Sequence, residues 1–252
     1  MRKGILLTDT AVHYPALDSG GRIVARTSLA PDPASAPPNP PFSPSEPPPL
    51  LPSELEPWLY REGIPADRLA LARQVHGAAV QYVDRPGVYE GIDGFFTDRP
   101  GLWPGIRTAD CLAVMVSFPE IPAVGIAHAG WRGLRSGIVP RLLDQMRRRW
   151  PVNPENIRIA VSPHIRQCCY EVGEEFTGYF PPEALHFWNG RWFFSQEAAL
   201  LIQLARWNIP RRNLIISPLC THCSEVPLYS YRKNRTAGRL LSVIGIRENA
   251  PS

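Results

Sequence analysis

Two apolar runs stand out in the middle of the chain. "CLAVMVSF" (111–118) and "AVGIAHA" (123–129) are β-type stretches separated by "PEIP" (119–122), whose prolines confine the chain to a turn. The pattern predicts an antiparallel hairpin. If the turn is centred between Pro119 and Glu120, Cys111 and His128 share its index sum and face each other at the open end. Further apolar runs read as strands at "GAAVQYVD" (77–84), "IRIAVS" (157–162) and "NLIISP" (213–218). Helical spacing appears in "SELEPWLYREGI" (53–64), "LLDQMRRRW" (142–150) and "SQEAALLIQLARW" (195–207). In the last of these Ser195 is the expected N-cap, and Leu200, Leu201, Leu204 and Trp207 fall on one face. Pro140 suits the start of a helix and would disturb one already running from Leu134, so that boundary stays open.

Strands and helices interleave without an internal linker, which predicts one mixed α/β domain over residues 1–252. At 252 residues and 44% hydrophobic content, a substantial core is available. Residues 31–53, "PDPASAPPNPPFSPSEPPPLLPS", are too rich in proline for helix or central strand and read as an extended surface loop.

A formal charge of +4, with arginines dispersed apart from 147–149 and 211–212, argues against nucleic acid as a partner. The apolar stretch of "MRKGILLTDT" breaks at Thr8 and Asp9, too early for a secretion signal, and no run is long enough for a membrane span. Five cysteines, an odd number in a chain this size, do not make a disulfide framework. The expected setting is therefore the reduced cytoplasm, with no membrane partner.

Candidate chemistry begins with Cys111 and His128 at the hairpin end and His76 in "RQVHGAAV". Three N/S ligands with a vacant fourth position is what a catalytic zinc needs. The same pair also admits His128 activating Cys111 as a nucleophilic thiolate, or Cys111 serving as a small buried hydrophobe. After His128, "AGWRG" (129–133) is a glycine turn leading into a helix. Its accessible N–H groups, with Arg132 and Arg135, offer a seat for a phosphate or carboxylate; alternatively the glycines turn the chain while Trp131 packs. Asp93 and Asp110 are candidate acceptors that would orient a ligating imidazole. Cys168 and Cys169 in "CCYEVGEEF", with Cys220 and Cys223 in "CTHC", could make a structural zinc site, although adjacent cysteines chelate poorly together.

Five segments in order, "QVHG" (74–77), "IDGFFTDRPGLWPGIRTADCLAVM" (92–115), "AVGIAHAGWRG" (123–133), "SPHIRQCCYEVGEEF" (162–176) and "YSYRKNRTAGR" (229–239), resemble the YfiH/laccase-domain family. That family is also called the multicopper polyphenol oxidase or purine nucleoside phosphorylase family. The resemblance implies a layered α/β/β/α fold with mixed sheets, similar to the cysteine-hydrolase-like toxins. It implies zinc held by His76, Cys111 and His128 as catalytic residues, with copper as the other metal, and places Gly130 and Arg132 at the substrate. The implied reactions are phosphorolysis of adenosine, inosine, guanosine or methylthioadenosine and deamination of adenosine, by a monomer or homodimer. Alternatives are a cysteine-nucleophile hydrolase, a peptidoglycan-editing factor and a copper-dependent phenol oxidase. The chain departs from the family pattern at Ala30, where asparagine is expected, at Ser162 in place of glycine, and at Ser195 in place of a frequently acidic residue.

Overall fold

Both strands of the central hairpin are apolar at nearly every position because both of their faces are covered. In the computed structural model, which describes residues 4–17, 20–30 and 51–248, every residue of Leu112–Phe118 and Ala123–Ala129 is buried. Alternation still divides the strands. Val114, Val116, Phe118, Ala127 and Ala129 pack toward helices, while Ala113, Met115, Val124 and Ile126 face a second sheet. Counting by twos, Cys111 and His128 fall on the side facing that second sheet, as does Asp93 two residues before Phe95.

The register corrects the expected one. Ala123 pairs with Phe118, and His128 pairs with Ala113 rather than with Cys111. Prolines at both ends of "PEIP" lack the N–H that a ladder needs, so all four residues form the turn and its centre moves to Glu120–Ile121. Cys111 lies one residue before its strand and remains on the same face.

The hairpin sits inside a six-stranded sheet, ordered Leu214–Ile216, Arg158–Val161, Leu112–Phe118, Ala123–Ala129, Gly94–Thr97 and Val80–Tyr82. The facing seven-stranded sheet runs Leu6–Leu7, Ala11–His13, Ile23–Ser28, Leu240–Ile246, Trp103–Thr108, Leu69–Arg73 and Gly87–Glu90. Each mixes parallel and antiparallel pairs, so the fold is mixed α/β. Three apolar layers hold the elements together. One lies between the sheets, one under the helices Ile138–Arg149 and Gln196–Leu204, and one between the outer sheet and Trp58 and Leu59 of the helix Glu56–Arg61. The resulting order is helix, sheet, sheet, helix.

Helix Ile138–Arg149 buries Leu142, Leu143 and Met146 completely, each contributing roughly 1.5–3 kcal/mol over an exposed position. It reaches the hairpin because Gly125 has no Cβ; one would come within 2.7 Å of Met146 Sδ. Pro140 is also resolved. Gly137, at φ +72°, separates the short helix Trp131–Arg135 from Ile138–Arg149 and places Pro140 third in the second helix, where no intrahelical N–H is required. Ser195 caps its helix as expected, its Oγ accepting from the Ala198 N–H at 3.1 Å.

The helix expected from Ser53 begins as a 3-10 turn at Ser53–Leu55 and becomes α-helical over Glu56–Arg61. Of the proline-rich segment 31–53, residues 31–50 lie outside the described residues. Among the described residues no helix is long and apolar enough to cross a membrane.

Candidate functional site

Two loops and a strand end deliver the three expected side chains to one place. The ligand atoms of His76, Cys111 and His128 all lie within 4.8 Å of one another. His128 comes from the rigid end of Ala123–Ala129 and is buried; Cys111 is half-buried and His76 is exposed. The two rings meet edge to face with centroids 4.6 Å apart.

Asp93 organises this group. Its Oδ1 accepts from His128 Nδ1 at 2.8 Å and from the His76 N–H at 3.0 Å, while Oδ2 accepts from Gly77 N–H at 2.8 Å and Val75 N–H at 3.2 Å. One carboxylate therefore fixes an imidazole and folds the opposing loop around itself. The loop needs that support, since His76 sits at φ +60°, a conformation unfavourable for a residue with a Cβ. Gln74 pins the other side, donating to Arg107 O at 2.9 Å and accepting from Arg107 N–H at 3.0 Å.

Charge follows from this geometry. Burial alone would push the Cys111 thiol up, but hydrogen bonds and charge from His128 and His76 bring it down to about 6. Burial likewise works to lower His128, and Asp93 and the Cys111 sulfur outweigh it, raising the imidazole to about 9. Burial would raise Asp93; its bonds to His128, Gly77 and Val75 hold it below the usual carboxylate range. The arrangement favours a thiolate beside an imidazolium whose Nδ1–H is held by Asp93.

Gly130 explains the closeness of the next loop. A Cβ there would lie 2.9 Å from Cys111 Sγ and 3.4 Å from His76 Cδ2, so the sulfur occupies the space a side chain would take. Its φ of −69° requires no glycine; the close approach does. Beyond it Arg132 is exposed, its guanidinium 4.2 Å over the Trp131 ring, and Trp131 stacks on Tyr179 at 5.8 Å. Arg135 lies 4.1 Å over Tyr179.

Asp110 does not orient an imidazole. Its carboxylate accepts from Thr221 Oγ1 at 2.6 Å and Arg232 N–H at 2.7 Å, and its carbonyl from Ile165 N–H at 3.0 Å and Gln196 Nε2 at 2.9 Å. These bonds hold Asp110 at φ +96° immediately before Cys111. Gln196 and Thr221 are supports that sequence reasoning missed. Their partners lie 86 and 111 positions away, and no local pattern marks them. The departure at Ser162 has a structural use: its Oγ accepts from Ala113 N–H at 3.0 Å and donates to Pro163 O at 3.1 Å. The other four cysteines form a second group of potential ligands.

The mixed α/β scaffold thus gathers a buried His–Asp pair, a cysteine and a second histidine, a donor set able to hold a metal ion. A model of the multi-copper polyphenol oxidoreductase laccase family matches residues 56–247, and the chain belongs to that family of enzymes. It is 32% identical over 210 residues to the purine nucleoside phosphorylase YlmD of Geobacillus stearothermophilus, covering 76% of each chain. It is 27% identical over 191 residues to the adenosine deaminase RL5 of an unknown prokaryotic organism, covering 68% of this chain and 72% of that protein. The fold matches the crystal structure of YlmD from Geobacillus stearothermophilus with a TM-score of 0.81 at 24% identity, over 97% of this chain and 99% of that one.

Proposed function

We propose that this chain is a zinc-dependent purine nucleoside enzyme, using phosphate to cleave adenosine, inosine, guanosine or methylthioadenosine and converting adenosine to inosine. The observation that carries the reading is the meeting of His76, Cys111 and His128 in a chain whose relatives include proteins named for both reactions. The donor set fits zinc: two imidazoles and a thiolate, with Nδ1 of His128 occupied by Asp93 and Nε2 left for the metal. Copper suits the same donors and outcompetes zinc at many such sites, so copper in a purified sample does not by itself indicate oxidase activity.

When bound, zinc supplies Lewis acidity toward a water or a substrate atom at this position. The protein's residues supply the rest. Asp93 holds His128 in one tautomer, and Gly130 lets the following loop lie against Cys111. Arg132, two residues on, is the candidate counter-charge for phosphate, which has to be held against the ribose as the purine leaves. Deamination needs no second anion. On this reading residues 1–252 are one domain, similar to the cysteine-hydrolase-like toxins, acting in the cytoplasm as a monomer or homodimer without a nucleic-acid or membrane partner.

The test is a product screen of common purine nucleosides in phosphate and in phosphate-free buffer. Release of free base and ribose 1-phosphate only with phosphate, inosine formation from adenosine in both buffers, and loss of all products in Cys111→Ala are the expected results. A zinc-loaded protein that leaves every nucleoside unchanged overturns the reading. The low thiol pKa and the Cys111–His128–Asp93 chain favour one second reading, a thiol hydrolase. Chelation separates the two: it abolishes zinc-dependent conversion and frees the thiol for ester or amide cleavage.

A further inference from the structure

We propose that Cys168, Cys169, Cys220 and Cys223 bind a zinc ion of their own as a tetrathiolate site, and that this site anchors the segment leading into Cys111. All four Sγ atoms lie within 4.8 Å of one another, and Cys168 Sγ is 3.8 Å from Cys223 Sγ. A tetrahedron built from zinc–sulfur bonds of about 2.3 Å has edges of about 3.8 Å, whereas a disulfide closes to about 2.05 Å. The Cys168–Cys223 separation matches that edge, the remaining pairs lie within 4.8 Å, and all four cysteines are free thiols.

The loop geometry supports the same assignment independently. Residues 220–223 form a tight turn, and the Arg166 backbone N–H donates to Cys220 Sγ at 3.4 Å. Such an N–H donor stabilises a thiolate, the form that binds metal. A second turn, closed by the Cys169 N–H on Arg166 O at 2.9 Å, brings the adjacent pair to the same place. This removes the objection that neighbouring cysteines chelate poorly together. Cys168 and Cys223 are exposed, which gives an ion access, and four sulfur donors in a tetrahedral setting select zinc or iron over harder cations. On binding, each thiol gives its proton to solvent and its sulfur lone pair to the ion, with no change of oxidation state.

Between the two ligands of the CTHC turn sits Thr221. Its hydroxyl donates to Asp110 Oδ1 at 2.6 Å, and its N–H donates to His164 O at 3.0 Å. Asp110 is the strained residue joined directly to Cys111. Closing the sulfur cluster on an ion therefore fixes the residue that places the Cys111 backbone, independently of which reaction Cys111 serves.

The experiment uses the full chain carrying Cys111→Ala, so that the first site contributes no thiolate. Reduced protein is loaded with zinc, cleared of loosely held metal and measured by elemental analysis; a parallel sample receives cobalt. One retained zinc per chain, and cobalt absorption with strong sulfur-to-metal charge transfer, are expected, and adding Cys223→Ser should remove both. Zinc removal should also speed amide exchange in peptides spanning 109–113. The cobalt spectrum needs no change in the cluster, so poor folding of the Cys223→Ser chain leaves the test intact. No retained zinc with four thiols open to a thiol reagent, or a protein purified two hydrogens lighter through a disulfide, overturns the site. Unchanged exchange at 109–113 overturns the anchoring.

Discussion

Asp93 Oδ1 and His128 Nδ1 meet at 2.8 Å with both side chains buried, while the same carboxylate receives three backbone N–H groups from the loop carrying His76. The contact holds the His128 Nδ1–H and brings the second imidazole to the first. Asp93→Asn keeps the shape but weakens the charge-assisted bonds. It is expected to reduce zinc affinity and nucleoside turnover by about 10–100-fold, the usual cost of losing a partner behind a metal ligand. Competition against a chromophoric chelator measures the affinity. An unchanged value would remove Asp93 from this role.

Gly130→Ala puts a methyl group 2.9 Å from Cys111 Sγ in a backbone conformation that alanine tolerates. The expected variant folds, with an ordinary circular dichroism spectrum, and loses most of its zinc uptake and activity. Wild-type uptake would show that the loop can withdraw from the sulfur without consequence.

His164 is buried, its Nδ1–H donates to Ser162 O at 2.9 Å, and burial lowers its pKa to about 4 from 6.5. As the pH falls, the unfolded chain takes up this proton first. Stability from the neutral ring is therefore present above pH 6.5, declines between 6.5 and about 4, and is lost below, a total of about 3 kcal/mol at about 1.4 kcal/mol per pH unit. Urea unfolding at pH 7 and 4.5 should show a steeper loss in wild type than in His164→Gln. Parallel pH dependence in the two proteins would show that the ring titrates normally.

Ser162→Ala removes the acceptor for the Ala113 N–H at the base of the hairpin. Loss of about 1–3 kcal/mol is expected from the stranded donor. Ser195→Ala removes a helix cap and should cost about 1 kcal/mol. Thermal denaturation of both variants and the double variant tests the pair. Because the two bonds share no partner, the losses should add.

What the sequence determined by itself is mostly local. The prolines of "PEIP" mark the turn, the apolar spacing marks helices over 142–150 and 195–207 though not where the first begins, and Ser195 before its helix is a cap whose bond spans three residues. Such features depend on backbone geometry repeated along the chain, which a single stretch can reveal. His76, Cys111 and His128 were legible as candidates because glycines and strand ends flank them, and because the ordered motifs resemble one family. Their meeting was a matter for the tertiary structure. It decided that four residues make the hairpin turn and that His128 pairs with Ala113. It turned Asp110 toward Thr221 and Arg232, filled the space beside Gly130 with the Cys111 sulfur, and brought adjacent cysteines to a turn 55 positions away. Each of these depends on which distant surfaces pack together. A hydrogen bond across more than a hundred residues leaves no period in the chain; it exists only once the sheets and helices bury their apolar faces and bring the two ends within reach.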